Sequence, residues 1–105
     1  MKRIYLASAY TIGDKEINVK RQLDAANELM DLNYIPYVPL LSHFQHIVHP
    51  RPDEDWLHIG REWVKVCHAV LRLPGESAGA DAEVALAHYC GIPVFYSIKE
   101  LKEGL

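Results

Sequence analysis

A chain of 105 residues, half of them apolar and about a quarter charged, suits a single domain over 1–105 with a modest core. Its net charge of −3 offers no general attraction to nucleic acid or an anionic membrane, and no apolar run is long enough to span a bilayer. "MKRIYLASAY" has too short an apolar stretch for a secretion signal, so a cytoplasmic location is expected, with Cys67 and Cys90 as buried thiols in a reducing compartment.

"RIYLA" reads as a first strand and "SAYTIG" as the loop after it, with Asp14 as a helix N-cap. Lys15 to Leu32 is helical in pattern. Val19, Leu23, Ala26 and Met30 form one apolar stripe, and Asn33 suits a left-handed stop. "YIPYVPL" is a second strand, made edge-like by Pro36 and Pro39. "LSHFQHIVHPRPDED" is expected to be a long loop, of the kind that often carries function. "EDWLHIGREWVKVC" is a helix with Trp56, Ile59, Trp63 and Val66 or Cys67 on one side and Gly60 as a weak point. "HAVLRL" is a third strand, "PGES" a turn, Ala78 to Tyr89 a helix stopped by Gly91, "IPVFYS" a fourth strand and "IKELKEGL" a short last helix.

Alternating strands and helices predict an α/β fold: a small doubly wound, flavodoxin- or Rossmann-like sheet of four to five mostly parallel strands, with helices on both faces. Ligands of such sheets bind beyond the carboxyl ends of the strands. Three segments are therefore expected to meet there: Ser8 to Thr11, Pro39 to His49 and Pro74 to Glu83.

Glu83 has Gly79, Ala80, Leu86 and Ala87 as helical face-mates, none able to form an ion pair. Early placement in a helix favours its ionised form through the helix dipole, and small neighbours leave room for a ligand. A solvated helix glutamate would show the same pattern. Ser77 and Gly79 open this helix, either as an anion site or as a plain N-cap. Ser8 could hold a phosphate or sugar oxygen and Tyr10 could stack on a base, or both could merely shape a turn. His43, His46 and His49 recur every third residue, but their setting favours a solvent-facing or substrate-facing loop over a metal site. No nucleotide-binding glycine motif, serine elbow or metal-ligand spacing is present, so no cofactor and no metal are expected.

Taken together, "IYLASAYT", "YVPLLSHF", "WLHIGREWVKVCHAVLRL" and "SAGADAEVALA" resemble the nucleoside 2-deoxyribosyltransferase superfamily, including its small relatives that hydrolyse deoxynucleoside 5′-monophosphates. The last segment matches S-x-G-x-x-x-E-x-x-x-A, in which the glutamate is the nucleophile. The resemblance implies that Glu83 attacks the anomeric carbon of a nucleoside or nucleotide. It implies that Ser8 and Ser77, with Gly79, hold phosphate or sugar oxygens, and that Tyr10 and His43 line the pocket. It further implies a small-molecule partner and a homo-oligomer. The chain departs from the family at Gly60 and at His68, where the family usually carries acids. Loss of a positioned acid–base group costs roughly a hundredfold in rate. Asp55, Glu62, Glu76, Asp81 or His68 are the candidates to replace it. The alternative is a nucleotide-binding module of the same fold with lost or weak catalysis.

Overall fold

Alternate residues of the first strand serve two different helix layers. A computed structural model describes all 105 residues. In β1 (Arg3–Ala7), Ile4 and Leu6 face one side of the sheet, while Tyr5 and Ala7 face the other, as the two-residue period of a strand requires. The remaining elements are α1 (Lys15–Asp31), β2 (Ile35–Tyr37), a single 3₁₀ turn (Pro39–Leu41), α2 (Ser42–Val48), α3 (Asp53–Val64), β3 (Ala69–Arg72), α4 (Ala78–Tyr89), β4 (Val94–Phe95) and α5 (Ile98–Gly104).

The four strands lie in the order β2-β1-β3-β4 and every pairing is parallel. The α/β, doubly wound architecture thus holds, with four strands. Ile4, Leu6, Leu71, Leu29 of α1 and Leu101 of α5 build one core. Tyr5, Ala7, Val70, Val64 of α3 and Ala80 and Ala87 of α4 build the other. β1 and β3, the central strands and buried apart from Arg3, are the switch point from which the chain winds in opposite directions, so the crevice between their carboxyl ends is the expected ligand position. No helix is long and apolar enough to cross a membrane.

Local signals account for most boundaries. The Asp14 carboxylate accepts from the Ile17 N–H and caps α1; Ser77 and Ser97 cap α4 and α5 in the same way. Asn33, at φ 65°, turns the chain out of α1 in the left-handed region, where Asn is tolerated.

Four expectations are corrected. The buried stripe of α1 is rotated: Leu23 and Met30 are 39% and 62% exposed, while Asn18, Gln22, Ala25 and Leu29 turn inward. The polar pair can do so because Gln22 has partners at and just past the end of β1 and Asn18 in the turn that follows. The histidine-rich stretch is no loop but the 3₁₀ turn followed by α2, with Pro39 at the start of the turn. In α3, Gly60 and Val64 face inward and Ile59 faces solvent. Trp63 instead lies flat on Tyr37, ring centres 4.7 Å apart, and Tyr37 stacks on Tyr5 at 5.6 Å. Of the two cysteines, Cys67 is buried, but Cys90, just past α4, is exposed.

Candidate functional site

The turn after β1 is held from beneath by two buried amides. The Asn18 side chain donates to the carbonyls of Tyr10 (3.0 Å) and Ile12 (2.9 Å). The fully buried Gln22 donates to the Leu6 carbonyl (3.2 Å) and to Ser8 Oγ (2.8 Å), and its own oxygen accepts from the Leu40 N–H (3.1 Å). One glutamine thereby ties α1, the end of β1 and the 3₁₀ turn together and orients the Ser8 hydroxyl. Buried polar groups this well satisfied rigidify their surroundings.

Glu83 lies on the inner face of α4, within a turn of Ala80 and Ala87, which pack on the sheet. Its carboxylate accepts a hydrogen bond from the hydroxyl of Tyr5, which projects up from β1. α3 crosses directly over this pair. A Cβ on Gly60 would stand 2.7 Å from Tyr5 Oη and 3.0 Å from Glu83 Oε2, so only glycine leaves the pair room. A residue that looked like a weak point of the helix is therefore what lets α3 close over the carboxylate.

Burial pushes the Glu83 carboxyl up to about 7, against the Tyr5 hydrogen bond and the charges of Arg72 and Arg61, which pull it down. The expectation that the helix dipole keeps it ionised is thus corrected: desolvation wins. Burial and the neighbouring carboxylate raise the Tyr5 hydroxyl far above its usual range, so Tyr5 stays a donor. Arg72, itself buried in β3, donates to the carbonyls of Leu73 and Gly75 and to Asp81 Oδ1 (3.1 Å), which pins the β3–α4 turn.

Glu83 opens into a cavity of about 370 Å³ beyond the carboxyl ends of the strands. All three expected segments reach it. Ser8, Tyr10 and Thr11 come from the turn after β1, Leu40 and Ser42 from the 3₁₀ turn and α2, and Ser77 and Gly79 from the start of α4. Ser77 is also the N-cap: its Oγ accepts from the Ala80 N–H at 3.1 Å. His43 is not in the wall. It stands behind it, its Nδ1 sharing a hydrogen bond of 2.5 Å with the Tyr10 hydroxyl and its Nε2 lying 3.5 Å from Glu16. His46 does the same for another wall residue: its Nδ1 accepts from Trp56 Nε1 at 3.0 Å, and Trp56 lines the cavity. α2 thus braces two aromatic wall residues through two histidines.

Of the acids proposed to replace a missing partner of Glu83, only Glu76 lines the cavity. Asp55 pairs with Arg51 and Glu62 with Lys65, both on the surface, and Asp81 holds Arg72. His68 lies at the amino end of β3, where its Nδ1 accepts from the Arg3 N–H at 2.9 Å, the far end of the sheet from Glu83. Tyr5, Gln22, Asp53 and Trp56 were not foreseen. Asp53, Trp56, Leu57 and Gly60 share one face of α3, and a strand tyrosine facing a core signals a hydroxyl in need of a partner. No group of three His, Cys, Asp or Glu side chains is arranged to hold a metal ion.

The sequence pattern of a domain family of unknown function, DUF7768, matches residues 2–97. Among solved structures, the chain is similar to a 2-deoxyribosyltransferase from the psychrotolerant bacterium Bacillus psychrosaccharolyticus, described as a biocatalyst for nucleoside synthesis. Identity is 20% and the TM-score 0.64, over 88% of this chain and 69% of that one. At that identity the likeness establishes a shared fold. No curated protein matches the sequence.

Proposed function

The chain belongs to the DUF7768 family, and we propose that it cleaves or transfers at the N-glycosidic bond of a (deoxy)nucleoside or its 5′-monophosphate, with Glu83 as nucleophile. One observation carries the reading: a half-buried carboxyl, held by Tyr5 and roofed by Gly60, opens into a nucleoside-sized cavity at the switch point of the sheet. The similarity to a deoxyribosyltransferase supports it at the level of the fold.

In this reading the ionised Glu83 oxygen bonds to the anomeric carbon as the carbon–nitrogen bond to the base breaks and its electron pair leaves with the base. The carboxylate stabilises the oxocarbenium-like transition state before any bond forms. Water, or a second base, then releases the sugar from the ester. The departing base takes up a proton, and Asp53 and Glu76 are the other acids that line the cavity. Tyr5 is a positioning residue: it holds one Glu83 oxygen and favours the charged form. Ser8, presented by Gln22, and Ser77 offer hydroxyls to the sugar, and Tyr10 and Trp56 offer faces to the base.

The test is base release or base exchange from a panel of deoxynucleosides and their monophosphates, with mass spectrometry of a mechanism-based sugar trapped on the protein. Turnover with the label on Glu83 is the expected result. No turnover and no label remove the catalytic reading. Gly60 favours one second reading, a binding module without chemistry, because it stands where the resembling enzymes carry an acid. Stabilisation by nucleosides without turnover would establish that instead. We also propose a homo-oligomer, on the half-exposed Phe44, Ile47 and Trp63; a monomer by light scattering at micromolar concentration refutes it.

A further inference from the structure

We infer that the cavity takes an uncharged nucleoside and turns away the same nucleoside bearing a 5′-phosphate. The inference rests on the reading of the cavity as a nucleoside site and names which of the two substrate classes it accepts.

The charge inventory of the wall carries it. Asp53, Glu76 and Glu83 all line the cavity, and no lysine, arginine or histidine does. The cations around it stay outside the wall: Arg61 of α3 acts on Glu83 through its charge but does not line the cavity. Arg72 spends its donors on two carbonyls and Asp81. Arg21 lines an adjoining groove of about 520 Å³ that meets the cavity at Ser8, and not the cavity itself. Lys15 rests its ammonium 5.4 Å from the centre of the Tyr10 ring. Even there the local field is negative: after burial, the charges of Glu16 and Asp53 are what push the Tyr10 hydroxyl up.

A phosphate monoester brings 1.5 to 2 negative charges at neutral pH. The start of α4 offers it about half a positive charge, and the Ala80 N–H there is already taken by Ser77. The formal charges of Asp53 and Glu76, with the partly ionised Glu83, outweigh half a positive one in a partly desolvated cleft. A phosphate here would also raise the Glu83 carboxyl further and deplete the ionised form that attacks. What the wall does offer is hydroxyl groups, on Ser8, Thr11, Ser42 and Ser77. These both donate and accept, which suits sugar hydroxyls.

The experiment reads binding apart from turnover. Calorimetric titration of the Glu83→Gln chain with 2′-deoxyadenosine, 2′-deoxyguanosine, 2′-deoxycytidine and thymidine, and with each 5′-monophosphate, should give at least tenfold tighter binding of a nucleoside than of its monophosphate. In the wild type, kcat/KM should favour the nucleoside by at least the same factor. Equal or tighter binding of the monophosphate overturns the inference, as does binding of neither. Selective nucleoside binding with no wild-type turnover sinks Glu83 as nucleophile and leaves the inference standing. The Asp53→Asn, Glu76→Gln double variant should raise the ratio of monophosphate to nucleoside affinity threefold or more. An unchanged ratio would show that these charges do not set the selectivity, and would overturn it too.

Discussion

The two faces of the sheet are built for different ends. Under α1 and α5 the core is aliphatic, with Ile4, Leu6, Leu29, Leu71 and Leu101 all fully buried. Under α3 and α4 the same strands present Tyr5 and Arg72, and the helices answer with Glu83 and a glycine. One face maximises apolar burial. The other gives up apolar burial to place a carboxyl where water is partly excluded, at the cost of an ionisation that folding disfavours. A single strand serves both, because its side chains alternate.

That contrast can be broken by substitutions on either face. On the α4 face, Glu83→Gln should lower kcat/KM by about a thousandfold or more, equivalent to roughly 4 kcal/mol of transition-state stabilisation. More than a tenth of wild-type activity would rule the carboxylate out as nucleophile. On the α1 face, Leu29→Ala should cost about 2–5 kcal/mol in chemical denaturation, with little change in kcat where the chain is folded.

The third prediction concerns pH. An unfolded glutamate titrates near 4.5 and Glu83 near about 7. Between these values the folded chain holds the proton more tightly, so this group's contribution to stability is full below 4.5 and falls as pH rises towards 7. The loss is about 3 kcal/mol at most, less what water reaching the half-buried carboxyl screens. Denaturation midpoints from pH 4 to 8 should show the decline in wild type and a flatter curve in Glu83→Gln.

Gly60→Ala sharpens the comparison. Alanine should favour the helix by about 1 kcal/mol, but its methyl would press on Tyr5 and Glu83 and cost about 1–3 kcal/mol. The expected result is a small net destabilisation with a disproportionate fall in activity. Smallest is Tyr5→Phe. Removing a hydrogen bond that lowers the Glu83 carboxyl should shift the acid limb of the pH–rate profile to higher pH, so that activity lost at neutrality returns in more alkaline buffer. An unmoved limb would leave Tyr5 with a packing role alone.

Much of the layout was legible in the residues. The alternation of elements, the Asp14 and Ser77 caps, the left-handed Asn33 and the span of α4 all follow from local patterns. What escaped was decided by distant partners. α1 is rotated because Gln22 finds a carbonyl at the end of β1 and Asn18 two in the turn after it, which no apolar period reveals. α2 is seven residues long, too short to show a period, and the prolines after it end a helix where they suggested none. Tyr5 and Glu83 are 78 residues apart, so neither the bond nor the need for Gly60 above it is visible along the chain.

The outer strand β2 has a consequence for how copies of this chain can meet. Its Ile35 N–H bonds inward to the Lys2 carbonyl, so at Pro36, the next residue, the missing N–H falls on the outer rim. The opposite rim, β4, is only two residues long. Both borders are poor templates for backbone pairing with a neighbour, a standard guard against cross-strand aggregation. Contact between copies is thereby steered towards side chains on the helices, and Pro36→Val is the substitution that would first reopen the other route.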